Sequence, residues 1–180
     1  MLNIPEYKQY GGETKIALMD NSSLAFMHEL SQRSYPSDGI LSVYDLILIP
    51  KWVMEEIEDS TYRSAYVEQL QAQGYPIRWI DETKYGAFVN DEDVNLYYIV
   101  EAAVSRVSEL MRFLRRKVKP EDMIDLPSTE EWMSRLYDEW PIHGRTLSTG
   151  RVLKKNAGEI SLTILAEVFA WYHDEVDSLT

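Results

Sequence analysis

The sequence predicts an α/β protein of three layers, helices packed on both faces of a mainly parallel sheet. Three observations carry this. Short apolar runs at residues 15–19, 46–49 and 76–81 have the length and flanks of buried strands. Helix-period segments alternate with them, which favours crossover connections and parallel pairing. The 180 residues suffice for one sizeable core and are too few for two full domains. A single domain over residues 1–180 is therefore expected.

In order, residues 1–14 read as a loose lead-in, because Pro5 and Gly11-Gly12 break any period. Residues 15–19 form the first strand, and Asn21, Ser22 or Ser23 can cap a helix reaching about residue 32. Residues 34–39, Ser-Tyr-Pro-Ser-Asp-Gly, have turn chemistry. The run Leu46-Ile47-Leu48-Ile49 is the second strand, and Pro50 suits the first position of a following helix, to about residue 59. A further helix spans about 61–73, with Tyr62, Tyr66 and Leu70 at helical spacing and Gly74 as its stop. Residues 76–81 make a third strand and 82–92 a polar loop.

Asp91 or Asp93 then caps one long amphipathic helix to about residue 116. Its apolar face is Leu96, Ile99, Val100, Ala103, Val104, Val107, Leu110, Met111 and Leu114. Pro120 and Pro127 bracket a linker. Ser128 to Glu131 is a capping box that opens a short helix with Trp132, Leu136 and Trp140. Residues 141–150 read as loop. The helix from Ala157 to about residue 172 is apolar around most of its circumference, Trp171 included, so burial on more than one side is expected. Residues 176–180 look like the start of a strand. Residues 91–150 are richer in helix than a minimal unit needs and read as an insertion or helical cap.

Several classes are excluded. No cysteine is present, so disulfides, thiolate metal sites and cysteine nucleophiles drop out, and a cytoplasmic setting is compatible. No apolar run reaches membrane-span length, and the N-terminus lacks a signal-peptide core, so no membrane partner is expected. The net charge of -12 disfavours broad nonspecific nucleic-acid binding, although clustered carboxylates that hold cations would add to it. Phosphate-binding glycine motifs are absent. His28, His143 and His173 share no ligand spacing.

Three acids carry the chemical signal: Asp20 ending the first strand, Glu56 in the helix after Pro50, and Glu159 opening the last helix. Each lies at or near a helix start, where anions are favoured. Convergent carboxylates make hard oxygen sites for Mg²⁺ or Mn²⁺. Each also has a plain structural reading, as a helix cap, a solvated charge, and a first-turn acid respectively.

The stretches KIALMDNSSL, LILIPKWVMEEI and NAGEISLTILA, in that order, resemble the PIN domain family of metal-dependent ribonucleases and toxin–antitoxin toxins. The resemblance covers about residues 15–80 and 150–180. It implies an endoribonuclease that hydrolyses RNA phosphodiesters at a Mg²⁺ or Mn²⁺ site, with Asp20, Glu56 and Glu159 as the metal-holding, catalytic acids. Asn21 and Ser22 stand where the family often carries a small hydroxyl residue near the metal. Asn156 stands where the family often has Asp. A further acid normally follows the last strand of the family, and the sequence stops in or just after residues 176–180, as a C-terminally truncated or shortened chain would, or one completed by another chain. RNA is the implied substrate, an antitoxin or other protein partner and homo-oligomerisation are compatible, and the alternative is a catalytically inactive PIN-like protein-binding module docking through residues 91–150.

Two groups of cations complete the reading. Arg112, Arg115, Arg116, Lys117 and Lys119 end the long helix, where they complement its dipole or contact RNA. Arg151, Lys154 and Lys155 precede Glu159, as a solvated loop or a phosphate guide. Trp132, Trp140, Trp171 and the tyrosines are expected in the core rather than as base-stacking platforms.

Overall fold

The run Leu46–Pro50 forms strand β2 and is buried along its whole length. Side chains alternate across a strand, so Leu46 and Leu48 enter one apolar core while Ile47 and Ile49 enter another. Two cores on opposite faces of one sheet are the three-layer arrangement that the sequence predicts. The computed structural model describes residues 2–35, 37–90, 93–118 and 125–180.

The central sheet has the order β3-β2-β1-β6, and every pairing is parallel. Its strands are β1 (Lys15–Leu18), β2, β3 (Ile77–Ile80) and β6 (Ser178–Leu179). One face is covered by α1 (Asn21–Gln32), α2 (Lys51–Ile57) and α3 (Thr61–Ala72), through Leu24, Val53, Met54, Ile57, Tyr66, Val67 and Leu70. The other face carries α4 (Asp93–Ala103), α5 (Ser108–Lys117), α6 (Thr129–Asp138) and α7 (Ala157–Tyr172). α4, α5 and α6 thus supply much of the second core. Among the described residues no helix is long and apolar enough to cross a membrane.

Several elements differ from the sequence reading. Residues 2–7 are no loose lead-in: Leu2, Ile4 and Tyr7 are buried, and Tyr7 N and Trp79 N exchange hydrogen bonds with Trp79 O and Pro5 O across β3. Pro50 ends β2, paired with Ile80, and caps α2 from outside, so the helix starts at Lys51. Residues 82–88, read as polar loop, form a 3₁₀ segment that buries Glu82, Tyr85 and Phe88. A second 3₁₀ segment, Ser37–Val43, takes up part of the turn read at 34–39, of which Pro36 and the side chains of Ser37 and Asp38 lie outside the described residues.

The long amphipathic helix is two. α4 stops at Ala103 and α5 starts at Ser108, with tight turns from Ser105 N to Ala102 O and from Val107 N to Val104 O between them. Val104, Ser105 and Val107 are poor helix formers, and Val107 takes an extended conformation. The predicted apolar face survives the break, since Leu96, Val100, Val104, Leu110 and Leu114 all enter the same core. Asp91 as its cap, and Lys119 and Pro120 at its far end, lie outside the described residues.

Residues 141–150, read as loop, hold the first strand of an antiparallel hairpin, β4 (His143–Thr146) with β5 (Val152–Lys154). All of β4 is exposed, so it carries no apolar alternation by which to be recognised. Ser128 caps α6 as predicted, its hydroxyl accepting from Glu131 N. Gly74 ends the turn after α3 at a φ of 97°, open to glycine and strained for other residues. Trp171 departs from the prediction for α7: it is 72% exposed.

Candidate functional site

The chain leaves β1 toward β2 and β3 on one side, and returns as β6 on the other. In an open α/β sheet, the carboxyl end of the strands at such a reversal is where ligands sit. Asp20 stands there, two residues beyond β1. Its Oδ1 accepts from Ser23 N at 2.6 Å and so caps α1. The capping reading of Asp20 is therefore correct, and it leaves the carboxylate at the mouth of the sheet.

Asp20, Asn21 and Ser22 line a pocket together with Val53 and Glu56 of α2 and Gly158, Glu159 and Leu162 of α7. The three acids singled out in the sequence, distant along the chain, thus border one opening. Its volume of about 30 Å³ has room for an ion or a water or two and not for an organic ligand.

Gly158 is what allows α7 to approach α2 here. A Cβ at this position would lie 3.2 Å from Val53 Cγ2 and 3.3 Å from Glu56 Oε1. Glu56 is half-buried beneath it. Burial raises its pKa above the usual carboxylate value, and the nearby Glu159 charge raises it further; a hydrogen bond from Asn21 and the charges of Arg145 and Arg63 oppose the rise. Asn21 Nδ2 donates to Glu56 Oε2 at 3.4 Å, and Asn21 Oδ1 accepts from Arg63 Nη1 at 2.7 Å. Arg63 thus holds the amide that holds the carboxylate.

Carboxylate oxygens are the donors that Mg²⁺ and Mn²⁺ take, and like charges facing one small pocket are what a divalent cation relieves. Among the described residues, however, no group of three or more His, Cys, Asp or Glu is close enough to hold a metal ion together. The three acids share a pocket without forming a three-ligand cluster.

The cations differ from those singled out in the sequence. Lys154 Nζ donates to Asp138 O at 3.3 Å and lies 5.1 Å above the Tyr137 ring, toward α6. Lys155 is exposed, and its backbone bonds Ile142 and Trp140. Neither lines the pocket, and Asn156 does not line it either; it enters α7 at a left-handed φ of 63° that asparagine tolerates. Arg151 pairs with Glu55, itself bound by the Tyr137 hydroxyl. The cations that act on Glu56 are Arg63 and Arg145, which the sequence reading passed over. Arg145 sits on the hairpin, 3.3 Å from Asp59, whose Oδ1 also accepts from Ser148 N and Oγ. Arg112, Arg116 and Lys117 line a separate surface depression on α5, while Arg115 pairs with Glu101.

Among the described residues one acid is fully buried, and no sequence motif marks it. Glu82 is fully buried, its Oε1 accepting from Trp52 N at 2.9 Å and Ser161 Oγ at 2.7 Å, with Tyr85 hydroxyl 2.8 Å from Ser161. Burial pushes its pKa up to about 8. The helical spacing of Tyr85 and Phe88 was the available sign that residues 82–88 pack inward. No family model, curated protein or solved structure matches the chain.

Proposed function

We propose that the chain is a PIN-like, metal-dependent endoribonuclease whose site is the pocket bordered by Asp20, Glu56 and Glu159. The observation that carries this reading is their meeting at the carboxyl end of β1, where the sheet order reverses. Asp20, Glu56 and Glu159 would hold Mg²⁺ or Mn²⁺, which when bound supplies charge neutralisation at a phosphodiester and a more acidic water. The chain's own part is positional. Arg63 and Asn21 orient Glu56, Gly158 keeps the space beside it open, and the cap at Ser23 N fixes Asp20.

The test is hydrolysis of single-stranded RNA with Mn²⁺, with and without chelator. Wild type is expected to cleave, and both chelation and Asp20→Asn to reduce the rate by at least about a hundredfold, the scale of removing a principal electrostatic group. Equal rates in wild type and Asp20→Asn would remove Asp20 from the chemistry.

A second reading is a catalytically inactive PIN-like module that binds a protein. It is favoured by the lack, among the described residues, of a three-ligand cluster at metal-holding distance. Calorimetry separates the two: heat of Mn²⁺ binding that Asp20→Asn abolishes supports the nuclease, and none at all supports the module.

A further inference from the structure

Away from the carboxylate pocket, a groove of about 580 Å³ runs between α4 and α7. That volume is in the range of ligand-binding clefts. Ile99 and Ala102 line it beside Tyr98 from α4, and Glu167, Trp171 and Tyr172 line it from α7. Trp171 is 72% and Tyr98 50% exposed, so both rings present aromatic surface to solvent at the groove.

The Trp171 indole is not loose. Its Nε1 donates to Glu167 Oε2 at 2.7 Å, one turn earlier on α7. The bond fixes the ring and sets a carboxylate beside it. Aromatic faces are negative at their centres, and the carboxylate adds a full negative charge, so both attract a cation. Ile99 and Ala102 offer apolar surface for the stem that carries it. Asp174 and Glu175, both exposed, follow the His173 cap of α7, and the chain as a whole carries -12. Arg115 of α5 is paired with Glu101 of α4.

We propose that this groove binds a basic side chain, arginine or lysine, presented by a partner polypeptide. The groove is open along two helices, so a free ammonium ion would keep much of its water there and gain little. A side chain on a polypeptide adds its apolar stem and flanking contacts to the charge. The proposal stands whether or not the carboxylate pocket holds a metal.

The experiment is calorimetric titration of the full chain with the capped peptide Arg-Leu-Gly-Arg-Leu-Gly at about physiological ionic strength, where long-range attraction to the net charge is screened within about 8 Å. The comparison ligands are the same peptide with citrulline for arginine, and tetramethylammonium. Binding is expected for the arginine peptide, with about tenfold weakening for the citrulline peptide, for Trp171→Ala and for Glu167→Gln, the scale of one partly desolvated cation–π or ion contact. Trp171→Phe, which keeps an aromatic face and loses the bond to Glu167, is expected to bind with an affinity between those of wild type and Trp171→Ala. Circular dichroism checks that the variants fold, and Glu167→Gln keeps the test open if Trp171→Ala does not. The proposal is overturned if the citrulline peptide binds equally, if affinity is unchanged in Trp171→Ala, if tetramethylammonium binds as tightly as the peptide (a free-cation site), or if nothing binds.

Discussion

Glu56, half-buried, and Glu82, fully buried, both have raised pKa values, and their surroundings separate their roles. Glu56 borders an open pocket beside a second acid and two cations. Its proton must leave before a metal can bind. Mn²⁺ affinity is therefore expected to climb with pH through and above the ordinary carboxylate range, and Glu56→Gln to flatten that climb; a titration series across pH reads it. Gly158→Ala tests the same spot from the other side. Alanine gains up to about 1 kcal/mol in helix propensity, which offsets the tight approach to Val53, so thermal stability should change little. The displaced Glu56 carboxylate should lower Mn²⁺ affinity several-fold.

Glu82 does not line that pocket. Its Oε1 caps α2 through Trp52 N, and its Oε2 has no hydrogen-bond partner. With a folded-state pKa of about 8, raised above the unfolded value, its contribution to stability is full below the ordinary carboxylate range. That contribution falls by roughly 1.4 kcal/mol per pH unit until about pH 8. Glu82→Gln keeps the shape and the acceptor while removing the titration. Urea unfolding of the two proteins is expected to agree at pH 5 and to favour Gln at pH 9. Parallel pH curves would contradict a buried, neutral Glu82.

At the scale of elements, the hairpin β4–β5 is the piece that the sequence hides best. It has no buried face on β4 and is tied to the body of the protein largely through side chains. Asp59 receives Ser148 and Arg145, Glu55 receives Arg151, and Trp140 Nε1 donates to Lys155 O at 3.0 Å. Partly exposed ion pairs contribute about 0–1 kcal/mol each, so Asp59→Ala should leave global stability nearly intact. It should instead loosen the hairpin, visible as faster amide hydrogen exchange at residues 143–154 with the α7 core unchanged. Since Arg145 acts on Glu56, the same variant should also raise the Glu56 pKa.

The α4–α5 break teaches the same lesson from the other direction. A continuous apolar period from Leu96 to Leu114 predicts the right buried face and the wrong number of helices. Periodicity records which residues enter the core. It is nearly blind to a four-residue turn that keeps them in phase, and the poor helix formers Val104, Ser105 and Val107 were the local sign.

For the whole molecule, the layered architecture was legible because the strands are short apolar runs with clear ends, and β2 feeds two cores by simple alternation. The meeting of Asp20, Glu56 and Glu159 at one pocket was legible because each follows a strand or opens a helix, and parallel topology gathers such positions at one edge of the sheet. The parts not legible depend on contacts between distant residues. Leu2, Ile4 and Tyr7 find their place only against β3, Glu82 only beneath Ser161, and Arg63 only through Asn21. Trp171 misled because an apolar period does not reveal whether any neighbour covers its last turn.

The central claim is that the three acids act as one cation site. Calorimetric titration of Mn²⁺ into the wild type and into Asp20→Asn, Glu56→Gln and Glu159→Gln tests it most directly. A single saturable binding event, weakened by about tenfold or more in every variant, is the predicted result, on the scale of losing one group that holds or orients the metal. Binding that is undetectable in the wild type, or unchanged in all three variants, would contradict it.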